Sequence, residues 1–250
     1  MSAPPQKLRL DRLLANMGYG SRKDIESLVK AGRIAFDGAT VTDASAHVPL
    51  ARDLPARLTV SGAALDPPPG LVVMLNKPLG VTCSHKEAGP LVYDLLPPRW
   101  RTRKPSISTI GRLDKDTSGL LLLTDDGGLL HRVIAPKSNV SKRYRATLAR
   151  PLHGTEATAL ASGTLMLDGD DKPLLPVAME MTAEGTTQNP VVLVTLTEGR
   201  YHQVRRMFAA LGNHVLALHR DRMGALELPD TLQPGDYRLL DENDVAAIFA

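Results

Sequence analysis

The sequence predicts an α+β protein in two parts: a small helical domain over residues 1–60, a Pro-rich linker over 61–70, and a larger domain over 71–250. Three observations carry this reading. Apolar residues at helical spacing fill the first thirty positions. Pro67, Pro68, Pro69 and Gly70 form a run that neither a helix nor a central strand can absorb. Beyond it, short apolar runs alternate with turn residues over about 180 residues, the length of one ordinary core.

Leu10, Leu13, Leu14 and Met17 fall at i, i+3, i+4 and i+7, one face of an amphipathic helix that Gly18 and Gly20 break. Ser21 opens a second helix, with Asp24 three residues on as an acidic capping-box partner. Ile25, Leu28 and Val29 form its buried face, and Gly32 stops it. Ile34 and Phe36, an Asp37-Gly38 turn and Val41 read as a β-hairpin. After the linker, Leu71–Leu75 is a buried strand ending at Asn76-Lys77-Pro78, and Leu120–Leu123 is another, closed by Asp125-Asp126-Gly127-Gly128. Tyr144–Leu148, Val191–Thr197 and Val215–Leu218 continue the strand set. Val204, Met207, Phe208 and Leu211 repeat the helical spacing, and Gly212 ends that helix.

Composition excludes several classes. Of 250 residues, 43% are hydrophobic and 23% charged, as in a soluble globular protein. No apolar run exceeds six residues (Val245–Ala250), against the roughly 20 of a membrane-spanning helix. A single cysteine, Cys83, excludes an intrachain disulfide and any multi-cysteine metal site, and fits a reducing compartment. The N-terminal MSAPPQKLRLDRLL has no apolar signal core, so a mature, cytoplasmic protein without a membrane partner is expected.

The net charge is only +3, but it is segregated. Six basic residues and one acid lie between Arg99 and Lys115, and five basic residues and no acid between Lys137 and Arg150. Five arginines, three histidines and one acid lie between Gly199 and Arg222. Residues 1–60 hold nine basic and six acidic residues, with Arg9, Arg12, Arg22, Lys23, Lys30 and Arg33 decorating the helix pair and hairpin. Such segregation suggests a basic surface for a polyanion.

The most informative stretch is GRLDKDTSGLLLLTDDGG, Gly111 to Gly128. Asp114, Asp116, Ser118 and Gly119 match the first positions of a calcium loop, but the preceding Ile107–Ile110 is a poor entering helix and a four-leucine strand fills the second half. A glycosidase pair of Asp114 and Asp116, about 7 Å apart if extended, sits badly with one Trp, three Phe and five Tyr to stack sugars. Asp116 reads as a turn or exposed residue. Asp114, between Arg112 and Lys115, is an acid inside the most basic stretch, where an ion-paired carboxylate can act as a nucleophile.

Gly111-Arg112-Leu113-Asp114 with Asp116-Thr117-Ser118-Gly119-Leu120 resembles the catalytic motif of the RNA pseudouridine synthases, in the branch named for the small ribosomal subunit. Asn76-Lys77-Pro78 with Gly80 resembles that family's first motif, Lys142-Arg143-Tyr144 its tyrosine motif, and Glu198 to Met207 (EGRYHQVRRM) its third. The first forty-odd residues resemble the RNA-binding fold of small-subunit ribosomal protein four. The likeness spans nearly the whole chain.

The resemblance implies an α-L-type RNA-binding domain ahead of a mostly antiparallel mixed sheet with flanking helices. It implies isomerisation of a uridine in ribosomal RNA, without metal or other cofactor, by a monomer acting on free RNA or an assembling small subunit. Asp114, Tyr144 and Arg205 are then the catalytic residues, Tyr144 stacking on the flipped base and Arg205 pairing with Asp114. Arg205 flanks the apolar face of its helix, whereas Arg206 points outward. Arg9, Arg12, Arg22, Lys23, Arg33, Arg112, Lys142, Arg143 and Arg206 are the expected RNA contacts. Lys77 and Pro78 stay outside the catalytic set. Two alternatives stand beside this reading: a large-subunit synthase, whose relatives often carry Asn-Arg-Gln where this chain has Tyr201-His202-Gln203, and a non-catalytic ribosome-assembly factor.

Overall fold

A computed structural model describes residues 6–51, 53–84 and 89–250. Residues 1–5 and 52, inside the segments read above as signal-free and as the first domain, lie outside the described residues. The chain divides into two compact units: residues up to Val72 with 96–108 and 124–127, and residues 73–95, 109–123 and 128–250. Among the described residues, no helix is long and apolar enough to cross a membrane.

The first unit runs β1 (Lys7–Arg9), α1 (Leu10–Asn16), α2 (Arg22–Lys30), β2 (Ile34–Phe36), β3 (Ala39–Thr40), β4 (His47–Pro49), α3 (Leu54–Arg57), β5 (Leu58–Val60) and β6 (Ala63–Ala64). The helix pair is as expected: Leu10, Leu13, Leu14, Met17 and Ile25 are fully buried in one core with Val29, Ile34, Leu54 and Leu58. Ser21 Oγ accepts from Asp24 N at 3.3 Å and Asp24 Oδ2 from Ser21 N at 2.7 Å, the reciprocal box that caps α2. Asp37 and Gly38, both at positive φ (49° and 78°), make the two-residue turn from β2 to β3. The strand order β3-β2-β5-β6 adds two strands that the sequence reading lacks. At three and two residues they are too short for alternation to show.

Residues 61–70, expected as a linker, are anchored in this unit instead. Leu65 is in the core, Asp66 N donates to Tyr19 Oη at 2.9 Å, and the Pro67 carbonyl accepts from Arg103 Nη1 at 2.8 Å. Gly70 N donates to Asp125 Oδ1 at 2.8 Å. Arg103 and Asp125 pair at 3.0 Å with both side chains 1% exposed. Burial pushes the Asp125 carboxyl up, against the pull of Arg103. The proline run ends regular structure, and a buried ion pair brought from two other segments holds its backbone in place.

The second unit carries β7 (Val72–Lys77), β8 (Ser108–Ile110), β9 (Thr117–Thr124), α4 (Gly127–Ile134), β10 (Lys142–Leu148), α5 (Glu156–Ala161), β11 (Ala178–Gly185), β12 (Pro190–Leu196), α6 (Gln203–Ala210), β13 (Val215–Met223), β14 (Leu226–Glu227), β15 (Tyr237–Leu239) and α7 (Glu242–Ala247). Its sheet has the order β11-β12-β10-β13-β9-β7-β15, with β14 on β13 and β8 on β9. The β11, β12, β10 and β13 ladders are antiparallel, as is β7 with β15, while β13 runs parallel to β9. All five expected strands are present, and Leu120 to Leu123 are fully buried. Val204, Met207 and Phe208 of α6 pack on Ala146, Leu148, Val192, Val194 and Leu218, which covers one sheet face. β11 went unread because it is an edge strand whose residues are mostly exposed.

Candidate active site

The loop from Gly111 to Asp116 enters β9, and its backbone is held by groups at the end of β7. Lys77 is fully buried, and its ammonium donates to the carbonyls of Thr117 (2.9 Å), Pro78 (3.1 Å) and Lys115 (3.5 Å). Gly80 N donates to the same Lys115 carbonyl at 2.8 Å, and Cys83 Sγ reaches the Leu113 carbonyl at 3.4 Å. Burial lowers the Lys77 pKa, opposed by Cys83 and by the carboxylates of Asp114 and Asp116. Lys77 thus clamps the loop, a role invisible in sequence, where it reads as the end of a strand.

Asp114 is about one-third exposed, and its Oδ1 lies 3.5 Å from His202 Nε2. Arg205 does not reach Asp114, contrary to expectation. Its guanidinium pairs with Asp116 Oδ2 at 2.9 Å and bonds the carbonyls of Asp116 and Val215, each at 3.0 Å. The reason is geometric: residues three apart share one side of a helix end. His202 and Arg205 therefore meet Asp114 and Asp116 in parallel, two pairs side by side. Asp116, read as a turn or exposed residue, is mostly exposed and ion-paired.

Tyr144 stands opposite Arg220 in the β10–β13 ladder. Arg220 is buried, its Nε donates to the Leu120 carbonyl at 2.8 Å, and Nη1 lies 3.3 Å from Tyr144 Oη. Its guanidinium also sits 5.8 Å from the Tyr144 ring centre. The adjoining Gly119, at φ 105°, lets β9 approach so closely that a Cβ there would meet the Arg220 carbonyl at 2.2 Å. Arg220, placed beside Tyr144, is a residue that the sequence reading did not single out; in the run His219-Arg220-Asp221-Arg222 nothing marks it out.

The expected RNA contacts separate into two groups. Arg12, Arg22, Lys23, Arg33 and Arg112 are exposed; Arg9 is also exposed, but forms a 2.8 Å pair with Asp11. The others are engaged internally. Lys142 donates to the carbonyls of Val140 and Thr197, and burial together with Arg220 lowers its pKa to about 8. Arg143 alternates with Lys142 and Tyr144 onto the other sheet face, where it pairs with Asp221 (2.8 Å) and Glu227 (3.4 Å). A concavity of about 1020 Å³ on that face is lined by Arg143, Arg145, His219, Asp221 and Arg238, and contains none of Asp114, Tyr144 or Arg205. Arg206, expected to point outward, closes on Asp170 at 2.6 Å.

The family model for RNA pseudouridylate synthases matches residues 71–210, and that for the S4 domain matches residues 8–51. The chain is 38% identical to a ribosomal small subunit pseudouridine synthase A of Vibrio cholerae, over 97% of this chain and 100% of the relative. It is 36% identical to the protein of that name in Escherichia coli, over 96% and 100%. It is 39% identical to an uncharacterised RNA pseudouridine synthase of Bacillus subtilis, over 95% and 97%. A crystal structure of a pseudouridylate synthase superposes with a TM-score of 0.65 at 33% identity, covering 96% of this chain and 99% of the other.

Proposed function

The chain belongs to the RNA pseudouridylate synthase family, and from that premise we propose that it isomerises one uridine of small-subunit ribosomal RNA, with Asp114 as the catalytic residue. The glycosidic bond between N1 and C1′ breaks, the freed uracil turns, and C5 bonds to C1′. The proton lost from C5 is matched by one gained at N1, so nothing enters or leaves. The protein must supply a group that acts on the ribose and a surface that keeps the uracil in place. A carboxylate does the first, whether it attacks C1′ or takes a ribose proton.

One observation carries the reading: Asp114 is accessible while the backbone beneath it is clamped by buried Lys77, with Gly80 and Cys83. An accessible reactive group on an immobilised loop is what positioning catalysis requires. Tyr144, its ring fixed beside Arg220, is suited to stack on the uracil. That stacking recovers part of the few kcal/mol spent extruding the nucleotide. Arg205 acts indirectly, holding Asp116 and hence the far side of the loop.

Exposed Arg12, Arg22, Lys23 and Arg33 of the first unit, with Arg112, supply phosphate contacts that orient the RNA without touching the target base. Relatives named for the small subunit, matched end to end, support that substrate. Asp114, Tyr144 and Arg205 all come from one unit of one chain, so a monomer suffices. Its rRNA substrate and its lone thiol both suit the cytoplasm.

The test is reverse-transcription mapping of pseudouridine in both ribosomal RNAs, supplied free and as assembling particles. Asp114→Asn is expected to cut turnover by at least about a thousandfold with RNA affinity within several-fold, and Asp116→Asn to be much milder. Near-normal turnover by Asp114→Asn would remove the catalytic assignment. A new pseudouridine in large-subunit RNA would move the substrate.

A further inference from the structure

We propose that Tyr201 is a nucleobase-stacking site beside the Asp114 carboxylate: its open face receives an unpaired base adjoining the target uridine, and His202 is the inner layer of the stack. This rests on the reading of the chain as a pseudouridine synthase and adds a subsite to it.

Tyr201 is 75% exposed, the most exposed large apolar side chain among the described residues. It is nevertheless held. Its ring stacks on His202 with centroids 3.9 Å apart and planes 16° from parallel, so one face is covered and the other is open. His202 is itself constrained, since it caps α6 at φ 49° and ψ 33°. A side chain other than glycine occupies that left-handed region at a cost, and such strain gathers at functional sites. The Nε2 of His202 lies 3.5 Å from Asp114 Oδ1. Two contacts in series therefore set Tyr201 at a defined offset from the reacting carboxylate.

The chemistry of the substrate calls for such a surface. Extruding a uridine leaves its neighbours without a stacking partner. An aromatic face replaces that partner for any base, because every base has a π-face. A rigid tyrosine with one face covered loses little conformational freedom when the second face is filled. The Arg205–Asp116 pair, three residues on from His202 at the same helix end, is engaged with itself rather than with Tyr201.

The experiment is pseudouridine formation on a small-subunit rRNA transcript by the full chain and by Tyr201→Leu, Tyr201→Phe and Tyr201→Trp. Tyr201→Leu is expected to raise KM about ten- to a hundredfold, with a smaller change in kcat, and the two aromatic variants to restore it. Once the modified uridine is mapped, 2-aminopurine placed next to it should be quenched by the wild-type chain and by Asp114→Asn, and not by Tyr201→Leu. A Tyr201→Leu chain with wild-type KM and quenching overturns the proposal. Equal losses in Tyr201→Leu and Tyr201→Phe also overturn it, because the hydroxyl rather than the ring face would then matter. A wild-type chain that forms no pseudouridine on any ribosomal RNA would sink the underlying reading instead, a result separable from either of these.

Discussion

Arg22 and Lys23, in the first turn of α2, stand in solvent, and with Arg12 and Arg33 they have no ion pair among the described residues. Arg206, in α6 of the second unit, is folded onto Asp170. Arg143, Arg145, Arg200 and Arg205 likewise each close on a carboxylate. One residue type thus serves two purposes. A cation without a partner is available to a phosphate. A guanidinium held between a carboxylate and backbone carbonyls is scaffold, because its departure leaves both unsatisfied. On this contrast we propose that the free cations, most of them in the first unit, with Arg112 in the second, grip RNA, while paired arginines, including Arg57 and Arg103 of the first unit, hold loops and strands in place.

The largest effect is expected from reversing two free charges, Arg22→Glu together with Lys23→Glu. Losing two phosphate contacts should flatten the plot of log affinity against log salt by about 1.4–1.8. Affinity near 0.1 M salt should fall by roughly tenfold or more, with turnover at saturating RNA retained. A binding series over salt checks this, and an unchanged slope would place the docking surface elsewhere.

Arg206→Ala sharpens the comparison from the other side. Asp170 keeps its 2.9 Å pair with Arg200 when Arg206 is removed, so only a small loss of stability is expected in urea unfolding. The salt slope should not move. If Arg206→Ala flattened it as the double reversal does, paired arginines would contact RNA too and the contrast would break.

The smallest effect concerns Lys142, expected to bind RNA but held inside. Its pKa is lowered from 10.5 to about 8 by burial and by Arg220. Between those values the unfolded chain carries a proton that the folded chain has lost, so stability rises with pH across that window. Below it, the charged side chain is a constant cost. Lys142→Met removes both, so it should be the more stable chain by about 1 kcal/mol near pH 7, with the difference closing by about pH 10. Urea unfolding of the two chains across this range tests it; a difference independent of pH would mean that the ammonium is solvated.

Helices α1, α2 and α6 were legible from apolar spacing of 3.6 residues, and the buried strands β7 and β9 from short continuous apolar runs, each a property of one segment. The capping box of α2, the Asp37-Gly38 turn and the Asp114 loop were legible for the same reason, each being complete within a few residues. Edge strand β11 and the short β5 and β6 were not, since they bury too little to leave a pattern. Lys77 looked like a strand end, and only the loop across from it shows what its ammonium holds.

The same boundary runs through the site. By itself the sequence determined that Asp114 is an acid inside a basic stretch ahead of a buried strand, and that Arg205 flanks the packed face of a helix. Only the tertiary structure decided that Arg205 meets Asp116, 89 residues away, that His202 faces Asp114, and that Arg220 backs Tyr144 across 76 residues. Burial of a side chain follows from its spacing along one element. The partner of a charge follows from which strands and loops the sheet order brings beside it, and that order belongs to the whole chain.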